Sequence, residues 1–182
     1  MINYDWYVIK EMRGYMKLVR PSLELKNEHE NYVKEWGPSR MVPSSFSLEG
    51  FDTYEEYLDA LALRQSGHGK WLPNSSYFLM NDQQQVVAMV DIRHELNDFL
   101  YNEGGHIGYS VRPSERRKGY ATRILGEALK KCKKLNITRV LVTCDGDNIG
   151  SAKTIVKNGG VEDESFQNEN GELIRRFWIE ND

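Results

Sequence analysis

The stretch R-R-K-G-Y-A, Arg116 to Ala121, decides the fold of this chain. It follows V-R-P-S-E, in which an apolar, strand-like run ends at Pro113, and it opens a segment with helical periodicity. Cations beside a glycine at the start of a helix are typical of an anion site, because free backbone N–H groups and the helix dipole both attract negative charge. Two interpretations stay open at this point: a solvated basic turn, or a loop that holds a phosphate group.

The loop matches neither of the two common phosphate-binding patterns. The Walker A pattern G-x-x-x-x-G-K-[ST] is absent, and so is the dinucleotide pattern G-x-G-x-x-G. Gly119 nevertheless lets a ligand approach the backbone closely, and Ala121 leaves the first helical turn uncrowded. A pyrophosphate is the ligand that such a loop fits best.

The charge distribution favours a local anion site over a surface for a long polyanion. The chain has 182 residues, enough for one domain with a sizeable core, and a net charge of −3. Residues 111–140 hold ten Lys and Arg against two Glu, a local +8, so the rest of the chain carries −11. We therefore expect no nucleic-acid partner.

Other features of the sequence exclude several classes of protein. Cys132 and Cys144 show neither CxxC spacing nor a cluster of further ligands, which argues against a disulfide scaffold and a structural zinc site. No signal peptide and no membrane-spanning apolar run is apparent, so we expect a cytoplasmic protein without a membrane partner. Met16 directly precedes the first predicted strand, so residues 1–15 are either an extension or an upstream start, and the domain is expected over residues 16–182.

The hydrophobic pattern predicts a single α/β domain with a mixed, mostly antiparallel sheet flanked by helices. Strands are predicted over residues 16–20, 77–80, 85–94, 106–112, 140–144 and 173–179, with a hairpin turn at 81–84. Helices are predicted from Ser22 to Gly37, from a capping box at Thr53, from Gly119 past Cys132, and over 151–158. The strand–helix–strand unit over residues 106–144 should be parallel and right-handed.

The motif R-x-x-G-x-A resembles motif A of the GCN5-related N-acetyltransferases (GNAT), whose pattern is Q/R-x-x-G-x-G/A. Arg116, Gly119 and Ala121 match it. The segment T-C-D-G-D-N-I-G-S-A is similar to the place where the family has an Asn before its next helix, and it supplies Asn148 and Ser151. The preceding H-I-G-Y-S-V-R-P looks like the fourth strand of the family. The resemblance is most specific over residues 76–160.

The resemblance implies that acetyl coenzyme A (acetyl-CoA) binds as acyl donor, without a metal, in a cleft between the fourth and fifth strands. Backbone amides from Arg117 to Thr122 would hold the pyrophosphate, and the backbone of Val111 would pair with the pantetheine arm. Asn148 and Ser151 would contact the same arm, although Asn148 could also be only a helix cap. The residues expected to bind acetyl-CoA are Val111, Arg112, Arg116, Arg117, Lys118, Gly119, Tyr120, Ala121, Thr122, Asn148 and Ser151.

Candidate catalytic residues lie just before the basic loop. Aminolysis of a thioester needs a base, a donor for the oxyanion and usually an acid for the leaving thiolate. His106 is the first candidate for the base, since it stands where many relatives carry a Glu, with His94 and Glu95 as further candidates. His94 and His106 could also share a metal, but no third ligand is apparent. The family position of the acidic Tyr is Ile155 here, so the acid must come from elsewhere or from water.

The predicted function is transfer of an acetyl group from acetyl-CoA to a primary amine by direct attack on the thioester. The acceptor would be a small molecule or a peptide, and the family resemblance makes a homodimer possible. Glu49, Asp52, Glu55 and Glu56 could attract a cationic acceptor or could be a solvated helix face. The alternative function is a non-catalytic module of the same fold that binds or senses acyl-CoA.

Overall fold

The structure is a computed structural model. It contains two antiparallel sheets with helices packed on them. Residues 16–39, 41–68 and 72–182 are described, so the predicted extension over residues 1–15 lies outside the described residues. The strands within the described ranges are β1 (Lys17–Val19), β2 (Asn74–Met80), β3 (Val86–Arg93), β4 (Ile107–Val111), β5 (Arg139–Asp145), β6 (Val161–Glu162), β7 (Phe166–Gln167) and β8 (Leu173–Glu180).

The first sheet has the strand order β1-β2-β3-β4, with every neighbouring pair antiparallel. A tight turn joins β2 to β3. The Asn81 side-chain oxygen accepts the backbone N–H groups of Gln83 and Gln85, and Gln84 has a φ of 60°. Asn commonly forms turns in this way, because its short side chain bonds to the backbone two residues further on. The predicted hairpin is therefore confirmed.

The second sheet is organised around β8, which pairs with β5, β6 and β7. The strands predicted over 140–144 and 173–179 correspond to β5 and β8. Strands β6 and β7 have two residues each, too few for an alternating pattern to reveal them in the sequence.

Four α-helices pack on these sheets: α1 (Lys26–Trp36), α2 (Tyr54–Gln65), α3 (Tyr120–Lys134) and α4 (Ile149–Lys157). The predicted capping box of α2 is present, since Glu56 donates its N–H to the Thr53 hydroxyl and the Glu56 carboxylate accepts the Thr53 N–H. Such a cap contributes about 1 kcal/mol to helix stability. No helix in the described ranges is long and apolar enough to cross a membrane.

The larger hydrophobic core lies between the first sheet, the inner face of the second sheet, and helices α3 and α4. Helix α3 supplies the predicted apolar stripe, and each fully buried aliphatic side chain contributes about 1.5–3 kcal/mol. Its buried members are Ile124, Leu125, Ala128, Leu129 and Cys132.

A smaller core covers the opposite face of the first sheet, beneath α1. His29 is fully buried there; its Nε2 donates to the Phe46 carbonyl, 2.9 Å away, and its Nδ1 accepts from the Tyr54 hydroxyl at 3.1 Å. Burial disfavours the charged imidazole and lowers the pKa of His29 to about 4, with the Phe46 hydrogen bond opposing that shift. His29 is therefore a neutral, hydrogen-bonded member of the core.

Strands β4 and β5 depart from the predicted arrangement. The sequence predicts that they are parallel neighbours in one mixed sheet, joined through α3. In the described part of the chain they belong to different sheets, and no ladder runs between them. One backbone hydrogen bond joins them, from the N–H of His106 to the carbonyl of Leu141. The α/β class is confirmed, but the single sheet is divided in two, so that β4 and β5 each lie at the edge of a sheet; we call the space between these two edges the cleft.

Candidate functional site

The cleft between β4 and β5 is bordered by backbone groups that face no partner strand. Arg112 donates its N–H to the Val87 carbonyl of β3 at 2.9 Å. Because backbone groups alternate sides along a strand, the N–H and C=O of Val111 and Tyr109 point away from β3, toward the cleft. An extended ligand that enters here could pair with this edge of β4 as an added strand would.

His106 closes one end of the cleft. Its N–H donates to the Leu141 carbonyl at 2.7 Å, and the Leu141 N–H donates to its Nδ1 at 2.9 Å. A ring nitrogen that accepts an amide hydrogen carries no proton, so the proton of the neutral ring is on Nε2. Burial, and secondarily the charge of Arg93, lower the pKa of His106 to about 4. The base assigned to His106 stays a prediction, and in this geometry its basic nitrogen is already bonded to Leu141.

The chain before His106 lies directly against β5. Gly105 has a φ of 63°, and a β-carbon at this position would come within 2.8 Å of the Leu141 carbonyl oxygen. The Thr143 hydroxyl donates to the Glu103 carbonyl at 2.6 Å, and the Arg93 guanidinium donates to the Gly104 carbonyl at 2.8 Å. The pair Gly104-Gly105 is the sequence signal for this close approach, and it is not among the predicted site residues.

The loop before α3 presents a series of free backbone donors. Within the described residues, the six N–H groups from Arg117 to Thr122 make no hydrogen bond with the protein. Arg117 and Gly119 have φ values of 68° and 86°, and successive N–H groups in such a conformation form an anion-binding concavity. A β-carbon at Gly119 would meet no atom within 4 Å, so the space beside it is open. Tyr120 and Ala121 continue the same row of donors into the helix.

The basic side chains around the loop differ in what they contact. The Arg116 guanidinium lies 4.9 Å from the centre of the Trp36 ring, and Lys118 pairs with Glu115 at 2.9 Å. Both side chains are exposed at the edge of the loop, as is that of Arg117. They can therefore add positive charge around an anion bound to the backbone.

Arg112 faces the other side of the first sheet. Its buried guanidinium pairs with Glu35 at 2.7 Å and with Glu28 at 3.2 Å, and it also donates to the Val86 carbonyl. Glu28 and Glu35 both lie on α1, so Arg112 ties that helix to the end of β4. Its guanidinium thus already has protein partners.

Asn148 and Ser151 lie at the start of α4. The Asn148 side-chain oxygen accepts the Ser151 N–H at 3.0 Å, so Asn148 caps this helix. The Ser151 hydroxyl lies 2.8 Å from the phenol oxygen of Tyr109. Burial raises the pKa of Tyr109 to about 12, so the phenol keeps its proton at neutral pH. Ile155, one turn further along α4, is fully buried.

The remaining candidate bases, His94 and Glu95, follow β3. His94 is half-buried, and its Nε2 lies 2.9 Å from the Ser75 hydroxyl, while no contact of its Nδ1 is found in the described part of the chain. Burial lowers its pKa, and the nearby Asp91 and Glu95 oppose that shift. Glu95 is exposed.

Among the described residues, no three His, Cys, Asp or Glu side chains are grouped in a way that could hold a metal ion.

Solved structures of acetyltransferases share this fold. A chimera of the spermidine N-acetyltransferase SpeG from Vibrio cholerae and hSSAT is 17% identical, with a TM-score of 0.65 over 91% of this chain and 96% of that one. The ribosomal-protein-S5-alanine acetyltransferase from Vibrio fischeri is 18% identical, with a TM-score of 0.65 over 92% of both chains. An N-acetyltransferase from Staphylococcus aureus Mu50 is 13% identical, with a TM-score of 0.66 over 92% of this chain and 99% of that one. At these identities the likeness concerns the fold.

The sequence itself also matches a family. A comparison with curated proteins finds no match. Residues 40–159, however, match the model of the Acetyltransferase (GNAT) family. This range includes both the loop before α3 and the start of α4. This match covers more than half of the chain, so the protein belongs to the GNAT family of acetyltransferases.

Proposed function

We propose that the enzyme transfers an acetyl group from acetyl-CoA to a primary amine. The observation that carries this proposal is the row of six unbonded N–H groups from Arg117 to Thr122, next to a cleft whose β4 edge is also unpaired. A doubly charged diphosphate and an extended amide-containing arm are the ligand parts that such donors and such an edge would bind. Acetyl-CoA has both.

The binding contacts follow from this placement. The N–H groups of residues 117–122 would receive the pyrophosphate oxygens, and the exposed Arg116, Arg117 and Lys118 would add charge around them. The backbone of Val111 would pair with the pantetheine arm. Asn148 and Ser151 would approach the arm from the opposite side of the cleft.

The chemistry needs three groups from the protein. Bound acetyl-CoA supplies an activated acyl carbon that a neutral amine attacks. The N–H of Tyr109 or Val111, which faces the cleft, would stabilise the negative charge that develops on the carbonyl oxygen. The Tyr109 phenol, protonated at neutral pH and hydrogen-bonded to Ser151, would give its proton to the leaving sulfur.

The base is assigned within the set His106, His94 and Glu95. His94 is the first choice, because its Nδ1 makes no hydrogen bond with the described residues and its lowered pKa keeps the ring neutral at pH 7. His106 would have to break its bond with Leu141 before it could accept a proton. The rate of H94Q measured against pH tests this assignment: loss of the rate at neutral pH with recovery at high pH supports His94.

The acceptor is a primary amine of a small molecule or a peptide. The solved relatives named above include enzymes for spermidine and for the alanine of a ribosomal protein, which are acceptors of these two kinds. The four acidic residues before and within the first turn of α2 are arranged as in a solvated helix end. Three of them are exposed, namely Glu49, Asp52 and Glu55, and Glu56 takes part in the capping box. A homodimer and a cytoplasmic location remain proposals based on the family.

The experiment that tests the function measures binding and turnover separately. G119E should weaken acetyl-CoA binding at least tenfold in calorimetric titration, since its carboxylate would enter the anion site. G50E is the matched control, because Gly50 has the same φ of 86° and equally open space. If G119E binds acetyl-CoA as the unmodified protein does, the pyrophosphate assignment is wrong.

Tight binding with no release of coenzyme A in the presence of a broad panel of amines would instead favour the acyl-CoA sensor, which the Ile155 position also allows.

A further inference from the structure

One side chain takes part directly in the junction between the two sheets. Of the two hydrogen bonds between His106 and Leu141, the first is an ordinary backbone bond, from the His106 N–H to the Leu141 carbonyl. In the second, the His106 Nδ1 takes the place of a backbone carbonyl and accepts the Leu141 N–H. The His106 carbonyl in turn accepts the Arg93 N–H of β3 at 2.8 Å. His106 therefore connects three strands.

This junction is buried, so its hydrogen bonds are not replaceable by water. His106 is 7% exposed and Leu141 is fully buried. Loss of the acceptor would leave the Leu141 N–H buried without a partner, which is unfavourable. The groups that face the imidazole are Arg93, whose charge favours the neutral ring, and the ring of Trp178, 6.5 Å away and nearly perpendicular. The neutral tautomer that the Leu141 bond requires is thus the one favoured by the surroundings.

The junction also determines where the cleft begins. Beyond Leu141, β5 pairs only with β8, and beyond His106, β4 pairs only with β3, within the described part of the chain. The N–H groups of Tyr109 and Val111 lie three and five residues past the junction. Their distance from β5 and α4 therefore depends on the angle at which the two strands diverge.

We propose that His106 is a positioning residue of the acetyl-transfer site. Through the hydrogen bond of its Nδ1 with Leu141 it sets the angle at which β4 and β5 diverge. The proposal rests on the proposed function for its kinetic consequence, but the hydrogen bond itself can be tested without turnover. It differs from the base hypothesis in what it requires of residue 106, namely an acceptor at the Nδ1 position instead of a titratable group.

Three substitutions separate the two roles. H106N places an amide oxygen close to the position of Nδ1 but cannot act as a base. H106Q places its amide near Nε2, and H106L removes the acceptor entirely. A positioning role predicts that H106N retains at least about a third of kcat with an unchanged pH profile, while H106L and H106Q lose at least tenfold in kcat with a smaller change in KM for the amine.

Hydrogen exchange supplies a readout that is independent of activity. The Leu141 amide should stay protected in the unmodified protein and in H106N, and should exchange at least tenfold faster in H106Q and H106L. If H106L does not fold, the comparison of H106N with H106Q decides the question. Equal losses of neutral-pH activity in H106N and H106Q, with Leu141 protected in H106N, would overturn the positioning role in favour of the base. Unchanged Leu141 exchange in H106Q would overturn the junction itself.

Failure of the proposed function gives a different result. In that case the unmodified protein would turn over no amine, yet the exchange pattern would still test the Leu141 bond. Calorimetric titration of the three variants with coenzyme A would then test the effect on the cleft, since a changed divergence angle should weaken binding in H106Q and H106L but not in H106N.

Discussion

The phenol of Tyr109 and the hydroxyl of Ser151 lie 2.8 Å apart, so a strand and a helix that are 42 residues apart in the chain are joined across the cleft. The resemblance to the family implies an acidic Tyr at the position of Ile155, whereas Tyr109 reaches the same helix, α4, from β4. The chain thus has a protonated phenol in the cleft, but it comes from β4.

We expect Y109F to lower kcat about 10²-fold, the contribution typical of a general acid, while acetyl-CoA binding changes little. Steady-state kinetics and calorimetric titration check this. Y32F is the matched control, because Tyr32 makes a similar 2.9 Å contact with Ser110 on the other face of β4. An equal loss of kcat in both variants would show that the effect is one of packing and not of proton transfer.

Substitution of Arg112 should affect stability and not acetyl-CoA binding. R112M leaves Glu28 and Glu35 without their buried partner, which we expect to reduce the free energy of unfolding by about 2 kcal/mol. Urea unfolding measures this quantity, and titration of the folded variant should give an acetyl-CoA affinity within about threefold of the original. R175M, which breaks the more exposed pair with Glu162, should reduce the free energy of unfolding much less than R112M does. A large loss of affinity in R112M at full stability would return Arg112 to the binding site.

Acid should destabilise the protein between pH 6.5 and pH 4 because of His29 and His106. Both have folded-state pKa values of about 4, below the value of 6.5 for the unfolded chain, so the unfolded state binds more protons in this window. Stability is therefore lost as pH falls, by about 2 kcal/mol for each histidine at pH 5. Urea unfolding at pH 7 and pH 5 checks this, and H106N should remove about half of the difference between these two pH values. A stability that is equal at both pH values would contradict the buried neutral state of the two rings.

The close approach at Gly105 predicts a steric effect that can be separated from backbone strain. G105A and G50A both place a β-carbon at positive φ, but the β-carbon of residue 105 would meet the Leu141 carbonyl oxygen at 2.8 Å, whereas that of residue 50 would meet nothing. G105A should lose at least about 1 kcal/mol more stability than G50A in chemical unfolding, because the strand has to shift to relieve the contact. Similar losses in both variants would mean that the chain before β4 is not tightly held against β5.

Local signals in the sequence predict much of this molecule correctly. The Thr53–Glu56 capping box, the Asn81 turn and the apolar stripe of α3 each depend on residues a few positions apart, and all three are confirmed. The basic loop before α3 is also visible in the sequence, since a Gly with cations before an amphipathic helix is a local pattern, and its binding of an anion stays a prediction. The family match supports its interpretation.

The parts that could not be predicted depend on residues distant in the chain. The position of Arg112 in the sequence groups it with the basic loop, but its partners are on α1, 77 and 84 residues away. His106 likewise looks like a free titratable residue until Leu141 is placed beside it, 35 residues later. The hydrophobic pattern likewise does not show the division into two sheets, because a strand–helix–strand pattern does not state whether the two strands are bonded along their length; only the family resemblance implies a cleft between them.

The central position of β8 in the second sheet has a consequence for synthesis of the protein. Strand β5 forms one wall of the cleft, yet its ladder is made with β8, which leaves the ribosome only after α4, β6 and β7 have been made. Until then the side of β5 that pairs with β8 has no strand beside it. The nascent chain can complete the first sheet early, but the β5 side of the cleft is incomplete until residues 173–180 emerge, so during this interval the edge of β5 is open to chaperones and to mispairing.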